Sequence, residues 1–112
     1  MKVTLLYFGD CPNWQATDAL LQSLKHDVGF DLERCRVETA EDAERWQFRG
    51  SPTVLIDGRD PFAIGDEPVG LSCRMYRTDD GFAGGPPEAQ LRELLVAASV
   101  TSDVDNTNVT TP

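Results

Sequence analysis

Long apolar runs and an excess of positive charge are missing from this 112-residue chain, and histidine occurs only once. No segment approaches the roughly 20 apolar residues that cross a bilayer, so we expect no transmembrane helix. The apolar run after Lys2 is too short for a signal peptide and ends at Gly9-Asp10 without a small-residue cleavage site, which predicts a cytoplasmic location. The net charge of −9 argues against nucleic acid or an anionic membrane as a partner.

Cysteine is scarce as well, with only Cys11, Cys35 and Cys73 in the chain. An odd number of cysteines without a signal peptide is not typical of a secreted disulfide framework. Their spacings are too long for a zinc ribbon, and the single histidine, His26, lies in a polar helical stretch, so we expect no metal site. A Cys-x-x-Cys pair is also absent, because Trp14 stands three residues after Cys11.

What the chain does contain is an alternation of strand and helix patterns. Apolar and β-branched runs predict strands over residues 3–8, 32–38, 53–57 and 71–77. Apolar residues at helical spacing predict helices over residues 12–28, 40–48 and 88–98. We expect Thr39 to cap the second helix, with Asp42 three residues later, and Gly29 to end the first.

The order βαβ followed by ββα predicts an α/β domain over residues 1–98, with a four-stranded mixed sheet flanked by helices. Residues 99–112 are mostly Ser, Thr, Asp and Asn, which predicts a disordered C-terminal tail. Residues 59–70 hold two prolines, two glycines and several charges, including Asp60, Asp66 and Glu67. We interpret them as a solvated insertion, with a functional lid as the alternative.

Cys11 is the residue with the clearest chemistry, because it follows a strand and precedes a helix pattern. Backbone N–H groups at a helix N-terminus favour a negative charge there, and the thiolate is the nucleophilic form of cysteine. The neighbouring Asp10 opposes this activation. The alternative is a buried cysteine that only packs.

The chain resembles the thioredoxin-like superfamily in two stretches, Cys11-Pro12 after the first strand and Phe48-Arg49-Gly50-Ser51-Pro52-Thr53-Val54 before the third. The resemblance covers about residues 1–98 and implies a thioredoxin fold. With Trp14 in place of a second cysteine, the chain is most similar to single-cysteine members, such as those of a glutaredoxin-like small bacterial subgroup. The resemblance also implies that the Ser51–Pro52 bond is cis and lies against Cys11.

The same resemblance implies a function, that of a monothiol thiol–disulfide oxidoreductase in which Cys11 is the nucleophile. Glutathione or another low-molecular-weight thiol would be a co-substrate, and no bound cofactor is expected. The substrate would be a thiol or a disulfide, with proteins among the candidates. The residues that we expect to contact it are Pro12, Trp14, Ser51, Pro52 and Thr53.

Three alternatives stay open at the sequence level. The protein could be a redox-inactive thioredoxin-fold module that binds a thiol compound, Hg(II) or an organomercurial at Cys11. It could instead bind a peptide in the groove beside Pro52. For Trp14, the alternative to a ligand-stacking wall is a core aromatic that covers the first helix.

Cys73 is the only candidate for a resolving cysteine. The expected sheet puts its strand two positions away from the strand that precedes Cys11, a gap of about 9–10 Å. A disulfide needs Cα atoms within about 7 Å of each other. We therefore predict that Cys11 and Cys73 do not pair without a movement of the backbone.

Overall fold

The computed structural model describes residues 1–63, 65 and 68–110 of a mixed α/β protein. Its strands are β1 (Lys2–Tyr7), β2 (Asp31–Arg36), β3 (Thr53–Ile56), β4 (Tyr76–Thr78) and β5 (Gly81–Ala83). Its helices are α1 (Trp14–Val28), α2 (Ala40–Trp46) and α3 (Glu88–Thr110). None of the helices in the described part of the chain is both long enough and apolar enough to cross a membrane.

The main sheet has three strands in the order β2-β1-β3. β1 pairs with β2 in parallel, with Leu6 opposite Cys35, and α1 makes the crossover that a parallel pair requires. On its other side β1 pairs with β3 antiparallel, with Leu5 opposite Val54. The central position of β1 explains why its middle four residues are all buried.

The predicted four-stranded sheet is wrong, because β4 does not join the main sheet. It pairs instead with β5 in a separate two-stranded hairpin, and Asp79 and Asp80 form the connection between Thr78 and Gly81. The strand predicted over residues 71–77 begins only at Tyr76. A two-residue turn of this kind lets β4 pair with β5, the strand that follows it directly in the sequence.

The core has one cluster on each face of the main sheet. Val3 and Leu5 of β1 belong to the cluster that also holds Leu21 and Leu24 of α1 and Leu91 and Leu95 of α3. On the opposite face, Leu6 belongs to a second cluster together with Ala43 of α2 and Phe48. Each large apolar side chain that is fully buried in this way contributes about 1.5–3 kcal/mol.

The helix ends agree with the sequence in two places. Thr39 caps α2 and its hydroxyl accepts a hydrogen bond from the Asp42 N–H at 3.0 Å. Gly29 follows the last residue of α1 at a φ of 84°. The start of α1 is later than predicted, since Pro12 lies in the preceding turn and Trp14 is the first helical residue.

α3 continues beyond residue 98 and therefore extends into residues 99–112, for which the composition predicts a tail. The prediction for residues 111 and 112 lies outside the described residues, as does the prediction of a solvated loop for Asp66 and Glu67.

Candidate functional site

Cys11 and Cys73 form a disulfide, with their Cα atoms 5.7 Å apart. The prediction that they cannot pair without movement is wrong. It assumed that Cys73 lies on a strand of the main sheet, two positions away. Cys73 instead lies before β4, in a segment outside the named strands. A single parallel bridge pairs it with Ser51.

Backbone hydrogen bonds hold Cys73 at this place. The Ser51 N–H donates to the Ser72 carbonyl at 2.7 Å, and the Arg74 N–H donates to the Ser51 carbonyl at 2.8 Å. Gly50 permits the close approach: a Cβ on Gly50 would lie 2.9 Å from the Cβ of Arg74, and its φ is +112°. Only glycine adopts this backbone conformation without strain and leaves room for the neighbouring segment.

The two cysteines of the disulfide differ in their exposure. Cys11 is 1% exposed, whereas Cys73 is exposed to solvent. The Sγ of Cys11 lies 3.6 Å from the carbonyl oxygen of Ser51, and the backbone N–H of Cys11 donates to the Phe8 carbonyl at 3.0 Å. An external thiol therefore has access to the Cys73 side of the bond. Cys11 is thus buried, as in the alternative interpretation from the sequence, but it forms a disulfide rather than only packing.

The carbonyl oxygen of Ser51 lies beside the Sγ of Cys11, and the Ser51–Pro52 bond is cis, which confirms the predicted cis bond. Thr53 follows Pro52 as the first residue of β3. The side chains of Ser51, Pro52 and Thr53 are all buried. The backbone N–H and carbonyl of Ser51 are already bonded to residues 72 and 74 of the same chain. In the disulfide form these groups are therefore not free for a substrate, and their role in substrate binding stays a prediction.

Trp14 and Pro12 have different environments. Trp14 stacks on Tyr7 with ring centroids 4.3 Å apart, and it packs against the core cluster of α1 and α3. This contact favours the interpretation of Trp14 as an aromatic that covers the first helix. Pro12 is exposed next to the buried Cys11, and its contact with substrate stays a prediction.

An ion-pair network beside the disulfide was missed by the sequence reasoning. Arg74 Nη1 lies 2.7 Å from Asp60 Oδ2, and each side chain is only 6% exposed. The same nitrogen donates to Thr53 Oγ1 at 3.2 Å, and Thr53 in turn donates to the Gly50 carbonyl at 2.6 Å. The prediction that Asp60 belongs to a solvated insertion is therefore wrong, because Asp60 is the buried counterion of Arg74.

Tyr76 closes the network from the side of the hairpin. Its hydroxyl donates to the Pro52 carbonyl, and the Arg74 guanidinium lies 4.7 Å from the centre of its ring. The Phe62 ring meets Tyr76 edge-on, with centroids 5.2 Å apart. Burial raises the pKa of the Tyr76 phenol well above its ordinary value, so this group stays a neutral hydrogen-bond donor at physiological pH. The network thus fixes the segment that carries Cys73.

Cys35 is the free cysteine, half-buried on β2. Burial raises the pKa of its thiol, and the charges of Glu33 and Asp42 act in the same direction. Nothing in the described residues brings three His, Cys, Asp or Glu side chains into a group that could hold a metal ion.

A cavity of about 610 Å³ opens beside Cys73, between the loop that follows β3 and the β4–β5 hairpin. Its walls combine aromatic and cationic side chains. Its lining residues include Arg49, Phe62, Met75, Arg77 and Phe82.

Comparison of the chain with protein-family models, with curated proteins and with solved structures finds no match.

Proposed function

We propose that this protein is a thiol–disulfide oxidoreductase that works through reversible formation of the Cys11–Cys73 disulfide. One observation carries the proposal: the disulfide joins a buried cysteine to an exposed one, beside a cavity large enough for part of a substrate. A disulfide with only structural function has no need of an exposed sulfur or an adjoining cavity.

Membership of the thioredoxin-like superfamily is part of the proposal. Its supports are the parallel β1-α1-β2 unit, a cysteine in the turn after β1, and a cis proline immediately before β3. The monothiol chemistry expected from the missing Cys-x-x-Cys pair gives way to a dithiol cycle, because Cys73 supplies the second sulfur. Glutathione is then a candidate reductant rather than a required co-substrate.

The difference in exposure assigns a role to each sulfur. A substrate thiolate attacks the Sγ of Cys73, forms a mixed disulfide with it, and displaces Cys11 as the leaving thiolate. Cys11 then takes up the proton that the substrate thiol has lost. This order exchanges the roles expected from the sequence, in which Cys11 meets the substrate and Cys73 resolves.

A second substrate thiol completes the cycle. It attacks the substrate sulfur of the mixed disulfide, which releases Cys73 as a thiolate and leaves the substrate as a disulfide. Two electrons pass to the protein, and the second thiol's proton goes to Cys73. The reverse sequence reduces a substrate disulfide: Cys73 attacks it, and Cys11 resolves the mixed disulfide.

Trapping experiments with single-cysteine variants test this proposal. We expect the Cys11→Ser variant to accumulate a stable mixed disulfide at Cys73 with a disulfide reagent such as oxidised glutathione, with release of one glutathione thiol, measured by intact mass. The Cys73→Ser variant should form its adduct at Cys11 at least about tenfold more slowly, because burial hinders attack and disfavours the thiolate.

Cys35→Ser is the matched control, since Cys35 lies outside the disulfide. This variant should keep the full activity of the parent in dithiothreitol-driven insulin reduction, whereas both other variants should lose it. If the parent has no such activity and its disulfide resists stoichiometric dithiol, the proposed function is wrong.

A second candidate function uses the same two sulfurs. The Cα atoms of Cys11 and Cys73 are 5.7 Å apart in the disulfide, so after reduction the two cysteines can supply two thiolates to one Hg(II) ion, with release of two protons. Soft cations prefer thiolate ligands. Stoichiometric Hg(II) binding without any turnover of disulfide substrates would favour this binding role over catalysis.

A further inference from the structure

We infer that the cavity beside Cys73 binds the substrate, and that this substrate is a polypeptide thiol with an acidic residue and an apolar side chain next to its cysteine. The inference rests on the proposed function, since it names the substrate class of that same site. It is argued from the access to Cys73, the charge of the cavity wall and the exposed apolar side chains at its rim.

Bonded and buried groups around the disulfide limit the direction from which a substrate approaches it. The backbone groups of Ser51 that could pair with an extended peptide are bonded to Ser72 and Arg74. Cys11 is buried beneath this segment. A substrate therefore reaches the disulfide at Cys73, and Cys73 itself lines the cavity. The residues that flank the substrate cysteine must then lie in that cavity.

The charge of the cavity wall comes from arginine side chains. Of the described residues that line the cavity, the ionisable ones other than Cys73 and Tyr76 are Arg49, Arg74 and Arg77. Asp60 is the close partner of Arg74 at 2.7 Å, and it lies 3.9 Å from Arg49. The Nε of Arg49 is buried without a hydrogen-bond partner, and Arg77 is exposed. The described part of this wall is cationic, although the whole chain carries a charge of −9.

A carboxylate suits this wall for two reasons. It can accept from the guanidinium group of Arg49, and charge-assisted hydrogen bonds of this kind are stronger than neutral ones. It is also repelled by most of the remaining acidic surface, so the cavity is where an acidic peptide is attracted. A basic peptide would be attracted to the surface elsewhere and repelled at the cavity.

The cavity also has exposed apolar side chains among its lining residues. Phe82 is 70% exposed and Met75 is 58% exposed, and both line the cavity. Phe82 lies directly opposite Arg77 in the β4–β5 pairing, so that a large apolar group and a cation stand side by side. Exposed aromatic side chains next to arginine are typical of sites that bind polypeptides. The substrate therefore has an apolar side chain as well as a carboxylate.

Two synthetic peptide thiols test the inference, acetyl-Glu-Phe-Cys-Gly-amide and acetyl-Lys-Phe-Cys-Gly-amide. The rate at which each opens the Cys11–Cys73 disulfide is measured by intact mass, and is divided by its rate with 2-hydroxyethyl disulfide. This division removes the effect of the neighbouring charge on the peptide thiol itself. We expect a normalised rate about fivefold higher for the glutamate peptide at low salt, the size of one or two exposed ion pairs.

The arginines of the wall are then changed one at a time. Arg77→Gln and Arg49→Gln should each reduce the preference for the glutamate peptide, as should 0.5 M salt. Arg92→Gln is the matched control, because Arg92 pairs with Asp27 and does not line the cavity. It should leave the preference unchanged. Phe82→Ser should slow both phenylalanine peptides, whereas Val96→Ser, at an exposed apolar position on α3, should not.

The outcomes separate the two proposals. Equal normalised rates for the two peptides, or a preference that Arg77→Gln and Arg49→Gln both leave intact, would overturn the inference and leave the oxidoreductase function standing. Failure of every peptide and of dithiothreitol to open the disulfide would overturn the proposed function itself. Arg77 is exposed, so its variant reports on the cavity even if the Arg49 variant folds poorly.

Discussion

The guanidinium of Arg74 and the carboxylate of Asp60 face each other at 2.7 Å, and each side chain is 6% exposed. The cost of removing one partner is high, because the other charge is left buried. We predict that Asp60→Asn lowers the free energy of unfolding by about 3 kcal/mol, measured by urea denaturation. The asparagine keeps an oxygen for the Phe62 N–H, so the loss reports on the charge.

Asp27→Asn is the control for this prediction. Asp27 pairs with Arg92 at 3.0 Å, but the two side chains are 46% and 44% exposed. Water screens such a pair, so its loss should cost less than about 1 kcal/mol. Similar losses in the two variants would mean that the Arg74–Asp60 pair does not hold the Cys73 segment.

A second prediction concerns the contact between Gly50 and Arg74. Alanine at residue 50 needs a positive φ and brings its Cβ to 2.9 Å from the Arg74 Cβ. Gly58 also has a positive φ, but a Cβ there meets nothing within 4 Å. We expect Gly58→Ala to cost about 1 kcal/mol of strain, and Gly50→Ala to cost about 1–3 kcal/mol more from the clash.

Urea denaturation of both glycine variants measures this difference. Gly50→Ala should also open its disulfide at a lower dithiothreitol concentration, because the Cys73 segment is displaced from Ser51. If the two variants are equally stable, the close approach of the two segments is not a feature of the folded protein.

A third prediction concerns the stability that the disulfide provides. Cys11 and Cys73 are 62 residues apart, and closing a loop of that length in the unfolded chain corresponds to about 4 kcal/mol. We expect Cys73→Ser to lose stability of this size, and dithiothreitol to produce a similar loss in the parent. Cys35→Ser should respond to dithiothreitol as the parent does. If dithiothreitol leaves the denaturation midpoint of the parent unchanged, the prediction is contradicted.

A fourth prediction concerns the pH dependence of Cys35. Its raised pKa favours the protonated thiol. At any pH below that raised pKa, the thiolate fraction of Cys35 is lower than that of an ordinary cysteine. In the oxidised protein, alkylation by iodoacetamide should therefore be slow at pH 7, and its rate should reach half-maximum above the ordinary value of 9.0.

Glu33→Gln removes one of the charges that raise the Cys35 pKa, so the midpoint of the alkylation curve should fall. Glu93→Gln, on α3, should leave the curve unchanged. A midpoint below 9.0 in the parent would show that burial does not dominate at this thiol.

Local signals in the sequence account for the first half of the fold. The apolar run at β1, the Thr39 cap and the helical spacing of α1 all depend on neighbours in the chain, and each agrees with the structure to within two residues. The cis bond at Pro52 followed from a resemblance rather than from composition.

The candidate site is different, because its key contacts join distant residues. Cys73 reaches Cys11 because residues 72–74 pair with Ser51. The sequence pattern around Cys73 does not distinguish this single bridge from a regular strand. Asp60 and Arg74 each look like ordinary surface charges until they are paired. The only hint in the sequence is the position of Arg74 directly after a cysteine.

The bond between Cys11 and Cys73 also changes the connectivity of the molecule. It closes the backbone from residue 11 to residue 73 into a covalent ring that contains α1, β2, α2 and β3. After a protease cut at the exposed Arg59, the two parts of the chain therefore stay joined by the disulfide. A cut after Arg77 lies outside the ring and leaves the C-terminal helix without a covalent link to the rest. Inside the ring, one cut is not enough: the molecule separates only after a second event, which is either reduction of the disulfide or a further cut.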